Sequence, residues 1–418
     1  MVRKNVVKRS IYLFACAALF LVLVSCQGWL PENRRLNGRI IVWHSWNSTE
    51  TAVLQEALRD FEEINPDVMV ISVPLAPNEL LPRFIQSARE GSGPDLLIGS
   101  DDWIQELADA NLIRPYTFQT AVPINGLAQQ AVTYQGNLYG LPLFLSPYAL
   151  YYNRTIVSGS LARSLDDLLT QAAEGRRVAF VPRFEDAYWG IRTFGSDIFD
   201  RAGNLNLADS GFIPWLDWLS EIQNRPGVIL NIDDASLEEL FIQGRIAYYV
   251  AGPEKQAVFN AEMGEGSFGV TTLPSGPNGS ASPLLPVETM MFYEFSSPEQ
   301  AVLATTLAEF LANQQQGIRF MRELDKLPAN PQISVDSRIY PNVSGFWRQS
   351  FTAVVLPNTF EKSSLITAGN RAYAATLSGA LTPESAVCIF GQEVAAANGL
   401  TAEQVTLPPN CELPETQP

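Results

Sequence analysis

Between Arg39 and Ile113 short apolar, β-branched runs alternate with stretches of helical period, and no other feature of the sequence restricts the fold as much. "RIIVW" (39–43) is followed by "NSTETAVLQEALRDFEEINP", which sets Val53, Leu54, Ala57, Leu58, Phe61 and Ile64 on one helical face. Asn47, Ser48 and Thr49 are candidate caps at its start, and Asn65-Pro66 ends it. "DVMVISVPL" is the next strand, 78–88 a second helix, "DLLIG" a third strand, and "DDWIQELADANLI" a third helix opened by acids. This β-α-β-α order predicts a mostly parallel sheet covered by helices on both faces. Ligands of such sheets bind beyond the carboxyl ends of the strands, which directs attention to 43–47 and 99–103. The glycines of "GSGPDLLIGSDDW" do not form a phosphate cradle, because no lysine or arginine lies between Glu90 and Arg114 to complete one.

The alternation resumes with different content further along. "NLYGLPLFLSPYALYYN" supplies two extended apolar runs broken at Ser146-Pro147, and "SLDDLLTQAAEG" a helix capped by Ser164. "RVAFVP", "RIAYYVAG", "FGVTTLP" and "TMMFYEF" read as strands, 188–199, 212–223 and 236–243 as helices. Helices dominate 298–324 and 363–398. Two α/β lobes joined by several crossings are expected, and 46% hydrophobic against 17% charged residues is the balance of an ordered chain.

The N-terminus has its own logic. Arg3, Lys4, Lys8 and Arg9 precede the apolar run 11–24, a charged and then hydrophobic pattern of a secretory signal that is too short to span a bilayer comfortably. It ends in "LVSC", similar to the lipobox of bacterial lipoproteins, which makes Cys26 the lipidation site and 1–25 a signal peptide. An ordinary signal peptide or a short anchor helix is the alternative. Residues 27–37 lack a hydrophobic period and read as a tether. The net charge of −16 becomes more negative still once those four cations are removed, so the surface repels nucleic acid and anionic lipid and the lipid is the only membrane contact. Cys388 and Cys411 remain as the thiols of the fold, a disulfide if exported or two free thiols otherwise. With one histidine, His44, they cannot build a usual zinc site, and no metal or cofactor is expected.

"IIVWHSW", "GSGPDLLI" with "LADANLIRP", "YQGNLYGLPLFLSPYALYYN", "IQGRIAYYVAGP", "FGVTTLP", "LPN" and "LTPESA" occur in an order that resembles the extracellular solute-binding proteins of ABC importers, the group that includes maltose-binding protein. The resemblance runs over roughly residues 39–398. It implies a two-lobed, type II-like periplasmic-binding-protein fold in which each lobe is a mostly parallel sheet flanked by helices and the ligand sits in a cleft between lobes. By matching segments, lobe 1 is 38–146 with 273–325, and lobe 2 is 147–272 with 326–418. It also implies capture of a solute by hinge closure, delivery to permease subunits, and an extracytoplasmic, membrane-anchored location.

For the ligand site the resemblance selects Ser45, Trp46 and Asn47 after the first strand, Asp101, Asp102 and Trp103 at the end of "DLLIGSDDW", and Glu185, Tyr188 and Trp189 in "VPRFEDAYWG". Glu254 stands where many sugar binders of the family carry a stacking tryptophan, and Glu288 opens the "ETMM" strand. The late aromatic of the family is replaced near Leu365 and Ile366. Each acid has a plain alternative as a solvated helix start, and each ring as core. A sugar or oligosaccharide is the expected ligand, because rings stack on sugar C–H faces while carboxylates accept hydroxyl hydrogen bonds. A cationic solute such as a polyamine, held by acids and rings, is the second reading. The third is a lipid-anchored glycoside hydrolase, but no carboxyl pair or nucleophile elbow is singled out, so no catalysis is expected.

Overall fold

The computed structural model describes residues 36–117 and 122–413; the signal stretch, Cys26 and most of the tether lie outside the described residues. The first helical period folds as Ser48–Ile64, with Asn47 and Glu50 forming a reciprocal capping box. Val53, Leu54, Ala57, Leu58 and Phe61 are buried on its inner face. Ile64, expected beside them, is 68% exposed, because the helix runs past the edge of the sheet before Asn65 ends it. Each leucine or phenylalanine fully buried this way contributes about 1.5–3 kcal/mol.

Two sheets organise the chain. In the first the strand order is Leu327–Pro328, Leu141–Leu145, Val287–Tyr293, Leu96–Ser100, Gly38–His44 and Val68–Pro74, with Ile113–Arg114 also on Val287–Tyr293. In the second it is Val228–Leu230, Val178–Phe180, Tyr248–Ala251, Ala149–Asn153 and Phe268–Thr271. The expectation of mostly parallel sheets is corrected. Only Gly38–His44 with its two neighbours, and Val178–Phe180 with its two, pair in parallel, while all other pairings within these two sheets are antiparallel. The parallel pairs come from helix-connected βαβ units; the antiparallel strands are those by which the chain leaves one lobe or returns to it.

Ser146, Pro147 and Tyr148 make the first passage, from Leu141–Leu145 to Ala149–Asn153. After Thr271 the chain still packs on the second lobe through Leu273 and Ala281, and it joins the first sheet only at Val287. Leu327–Pro328 pairs with Leu141–Leu145, so Lys326 folds with the first sheet and not, as the expected boundary at 326 had it, with the second lobe; a last passage follows and leads to the helix Pro341–Ser350 against Phe268–Thr271. Two passing segments bond to each other, Val354 N to Pro283 O and Leu285 N to Val354 O, both at 2.9 Å. The helices Lys362–Leu377 and Pro383–Asn398 pack together on the second lobe. There Cys388 is bonded to Cys411, 23 residues on. Closing a loop of that length stabilises by about 3 kcal/mol in the chain-entropy model.

Candidate functional site

The carboxyl ends of the strands in both lobes face each other across the Ser146 passage. Along this line the structure has two hollows, and a hydrogen-bonded group formed by Tyr148, Asp186 and Arg183 lies within electrostatic reach of Glu254 in one and Glu185 in the other. Tyr148 donates to Asp186 Oδ1 at 2.9 Å, and Arg183 Nε donates to Asp186 Oδ2 at 2.7 Å.

The first hollow has a volume of about 270 Å³ and is lined by Ser45, Asn47, Glu50, Phe144 and Lys326 from lobe 1, by Pro253, Glu254 and Ala257 from lobe 2, and by Ser146 between them. His44, buried beside it, fixes the turn that carries Ser45 and Asn47. The buried ring accepts from Trp46 N at Nδ1 (3.2 Å), so Nε2 carries the proton and donates to Ser72 Oγ at 2.8 Å. Burial holds His44 down at about 4, so it stays neutral at physiological pH. The turn it fixes sends Trp46 inward. Only 5% exposed, that indole packs against Phe144 and Phe320 and donates through Nε1 to Glu288. Lys326 joins the same group: its Nζ lies 3.0 Å from both Glu50 Oε1 and Glu288 Oε2 and 4.8 Å from the Trp46 ring. Burial favours loss of the Lys326 proton, but the two carboxylates outweigh it and the ammonium is held above its usual range. Glu254, across the hollow, folds its carboxyl back over Gly252 so closely that a Cβ there would meet Oε2 at 2.2 Å. Burial of that carboxyl raises its affinity for a proton.

The second hollow measures only about 40 Å³ and is lined by Asp101, Asp102 and Glu185 with Pro286, Lys362 and Ile366 among others. Asp101 is 4% exposed; its Oδ1 accepts from Val287 N at 2.8 Å, and its Oδ2 meets Lys362 Nζ at 2.8 Å. The same ammonium reaches Asp102 Oδ1 at 2.8 Å. Burial first, and then Asp102, push Asp101 up to about 6 against the pull of Lys362. Glu185 is pushed up to about 7 by crowding of its carboxyl and then by Asp102 and Asp186, although the residue as a whole is exposed. The two rows of strand-end acids expected from the sequence therefore do meet here.

The aromatic residues behave differently. Trp189 is fully buried in the second core, its ring 4.9 Å from Trp215, and Tyr188 is buried with its hydroxyl donated to Asp197. Neither faces the two hollows at the strand ends. The short helical turns 184–194 rotate them inward, where two large rings gain more by burial than at a wet rim. Trp103 lies flat on Gly99, where a Cβ would come within 2.1 Å of the indole, and is also outside both hollows. Tyr188 instead lines a third hollow of about 810 Å³ that includes Val354 and Asn358 but none of the strand-end acids.

Sequence reasoning missed Lys326 and Lys362. A signal was present: the chain has five lysines, and only Lys255, Lys326 and Lys362 fall among the described residues. Each of these three sits on two carboxylates, Lys255 on Asp234 and Glu238 at 2.7 and 2.6 Å. Among the described residues no cluster of side chains has the makings of a metal site.

Residues 56–340 match the family model described as bacterial extracellular solute-binding protein. The chain belongs to that family. It is 27% identical over 253 residues to the Maltotriose-binding protein of Pyrococcus abyssi, an alignment covering 57% of this chain and 54% of that one. With the Maltodextrin-binding protein MdxE of Bacillus subtilis it shares 21% identity over 388 residues, 86% of this chain and 90% of the other. Among solved structures, a cyclo/maltodextrin-binding protein complexed with maltotetraose has a TM-score of 0.76 at 20% identity, over 87% of this chain and 98% of that one. The GacH receptor of Streptomyces glaucescens GLA.O has a TM-score of 0.74 at 21% identity, over 87% and 99%. These neighbours share the two-lobed fold, and the relatives are solute-binding proteins rather than enzymes.

Proposed function

We propose that this family member is the extracytoplasmic receptor of an ABC importer, that it holds a sugar or short oligosaccharide between its lobes, and that it releases it to a membrane permease after the lobes close on it. The observation that carries the sugar is the state of the acids. Glu50 with Glu288, and Asp101 with Asp102, are each already engaged by one lysine of the chain, which cancels one of the two charges, and Asp186 is paired with Arg183. Glu185 and Glu254 are both shifted toward their neutral forms. In a cleft arranged this way the carboxylates already hold the chain's own cations, and ammonium and carboxyl groups side by side offer hydrogen-bond donors and acceptors to a neutral polyhydroxylated solute. The maltotriose- and maltodextrin-binding relatives support that choice over a polyamine. Ligand contacts from both lobes would favour the closed form, since only differential affinity moves such an equilibrium. Catalysis has no part in this reading. Anchoring through lipid on Cys26 belongs to it, and Cys26→Ser is expected to move the protein out of the membrane fraction.

A thermal-shift screen tests the reading. Maltose, maltotriose and other sugars are expected to raise Tm, because ligand at about 100 times Kd adds about 2.7 kcal/mol. Stabilisation by spermidine or putrescine with no response to any sugar would overturn it.

A further inference from the structure

Lys362 starts the helix Lys362–Leu377 of lobe 2, yet its ammonium is on Asp101 and Asp102 of lobe 1. Among the described residues these are the only ion pairs that join the lobes. The lysine side chain is 12% exposed and Asp101 3%, so that half of the contact is buried, while Asp102 at 46% carries it out to the rim. Ile366, one helical turn on, lines the same place, and the hollow left beside the two side chains is about 40 Å³. That holds about one water, not a sugar ring. In the hollow lined by Ser45, Glu254 and Lys326 about 270 Å³ remains open, just under the range of about 300–1,000 Å³ common for small-molecule sites.

We propose that Lys362 blocks the Asp101–Asp102–Glu185 end of the cleft and thereby limits the ligand to one short enough for the Ser45–Glu254–Lys326 chamber, a mono- or disaccharide rather than a longer oligomer. The proposal rests on the carbohydrate reading above and adds a length limit to it. A longer chain would have to displace an ammonium held by two carboxylates, and it would find aliphatic Ile366 where it needs a ring to stack on.

Two measurements test it. In the first, wild-type protein is acylated with a water-soluble amine reagent and Lys362 is followed by peptide mass spectrometry. Lys362 is expected to react at least about tenfold more slowly than in urea-unfolded chain, as a group reached only by opening does. Reaction at the unfolded-chain rate would show that the side chain does not occupy the cleft, and would overturn the proposal whatever the ligand. In the second, maltose, maltotriose and maltotetraose are titrated calorimetrically into wild type and Lys362→Met. Wild type is expected to bind the tetrasaccharide no better than the disaccharide, and the variant to gain about tenfold for the longer probes, or 1.4 kcal/mol. If Lys362→Met does not fold with Asp101 left uncompensated, the double variant K362M/D101N is used in its place, its amide oxygen still able to accept from Val287 N. A wild type that prefers maltotetraose, or a variant with the wild-type length profile, would sink the length limit. No binding of any probe to either protein, with Lys362 protected, would instead fell the carbohydrate reading and leave the blocked end standing.

Discussion

The cleft contains two clusters of the same composition, one lysine on two carboxylates, that differ in what they connect. Lys326, Glu50 and Glu288 all belong to lobe 1, and the cluster is fastened to the indole of Trp46. Lys362 belongs to one lobe and Asp101 and Asp102 to the other, with Asp102 46% exposed. The first cluster is part of a core, and under the proposed closure it would stay formed. The second joins the lobes and would be made and broken with the hinge, so the same ion pairs would act as scaffold in one place and as a conformational contact in the other. Chemical composition alone does not distinguish these roles; the sheet to which each partner is attached does.

The largest effect is expected from Lys326→Met, which leaves two carboxylates beside a buried indole without their cation. Breaking a buried pair from one side costs about 3–5 kcal/mol, and urea unfolding should register a loss of that order. Lys362→Met should cost less, about 1–2 kcal/mol, because the lobes can part and return Asp102 to water. Its signature lies elsewhere, in a larger radius of gyration by small-angle scattering. Equal stability losses and unchanged scattering for both variants would erase the distinction between the clusters.

The smallest effect concerns pH. Glu185 is held near 7 when folded, by crowding of its carboxyl and by Asp102 and Asp186 against Arg183 and Lys362, and its ordinary value is 4.5. The folded state therefore binds this proton more readily than the unfolded one, and the contribution to stability rises as pH falls from about 7 toward 4.5. Asp101, held at about 6, acts in the same direction between 6 and 3.8. Glu185→Gln should flatten the dependence of Tm on pH between about 7.5 and 5, whereas a variant as steep as wild type would mean that Glu185 faces open water.

Much of this was legible in the sequence, unevenly. The strand and helix periods of residues 39–113 placed the first lobe, and their strand ends pointed to 43–47 and 99–103, while Glu185 and Glu254 came from the family resemblance; Ser45, Asn47, Asp101, Asp102, Glu185 and Glu254 all line one of the two hollows. The rings were not legible. Trp46 and Trp189 follow strand ends as a ligand-stacking ring would, and whether an indole turns inward depends on the local turn, which periodicity does not describe. The lysines were hidden for another reason: Lys326 and Lys362 meet acids as far as 276 and 261 residues away in sequence, separations at which no spacing rule operates. Scarcity was the only clue, since a fold that uses lysine so rarely uses it where charge must be compensated.

The strand Val287–Tyr293 lies in the middle of the first sheet, between Leu96–Ser100 and Leu141–Leu145. During synthesis those two neighbours appear early and have no partner in common until residue 293 has been added. Their facing backbone edges stay open over that interval, and open edges invite pairing with other chains. The central gap is closed by contacts of long sequence separation, which form slowly. Any fragment of this chain that stops short of residue 293 should therefore aggregate rather than fold as a one-lobe protein, even though it contains the parallel strands and helices of that lobe.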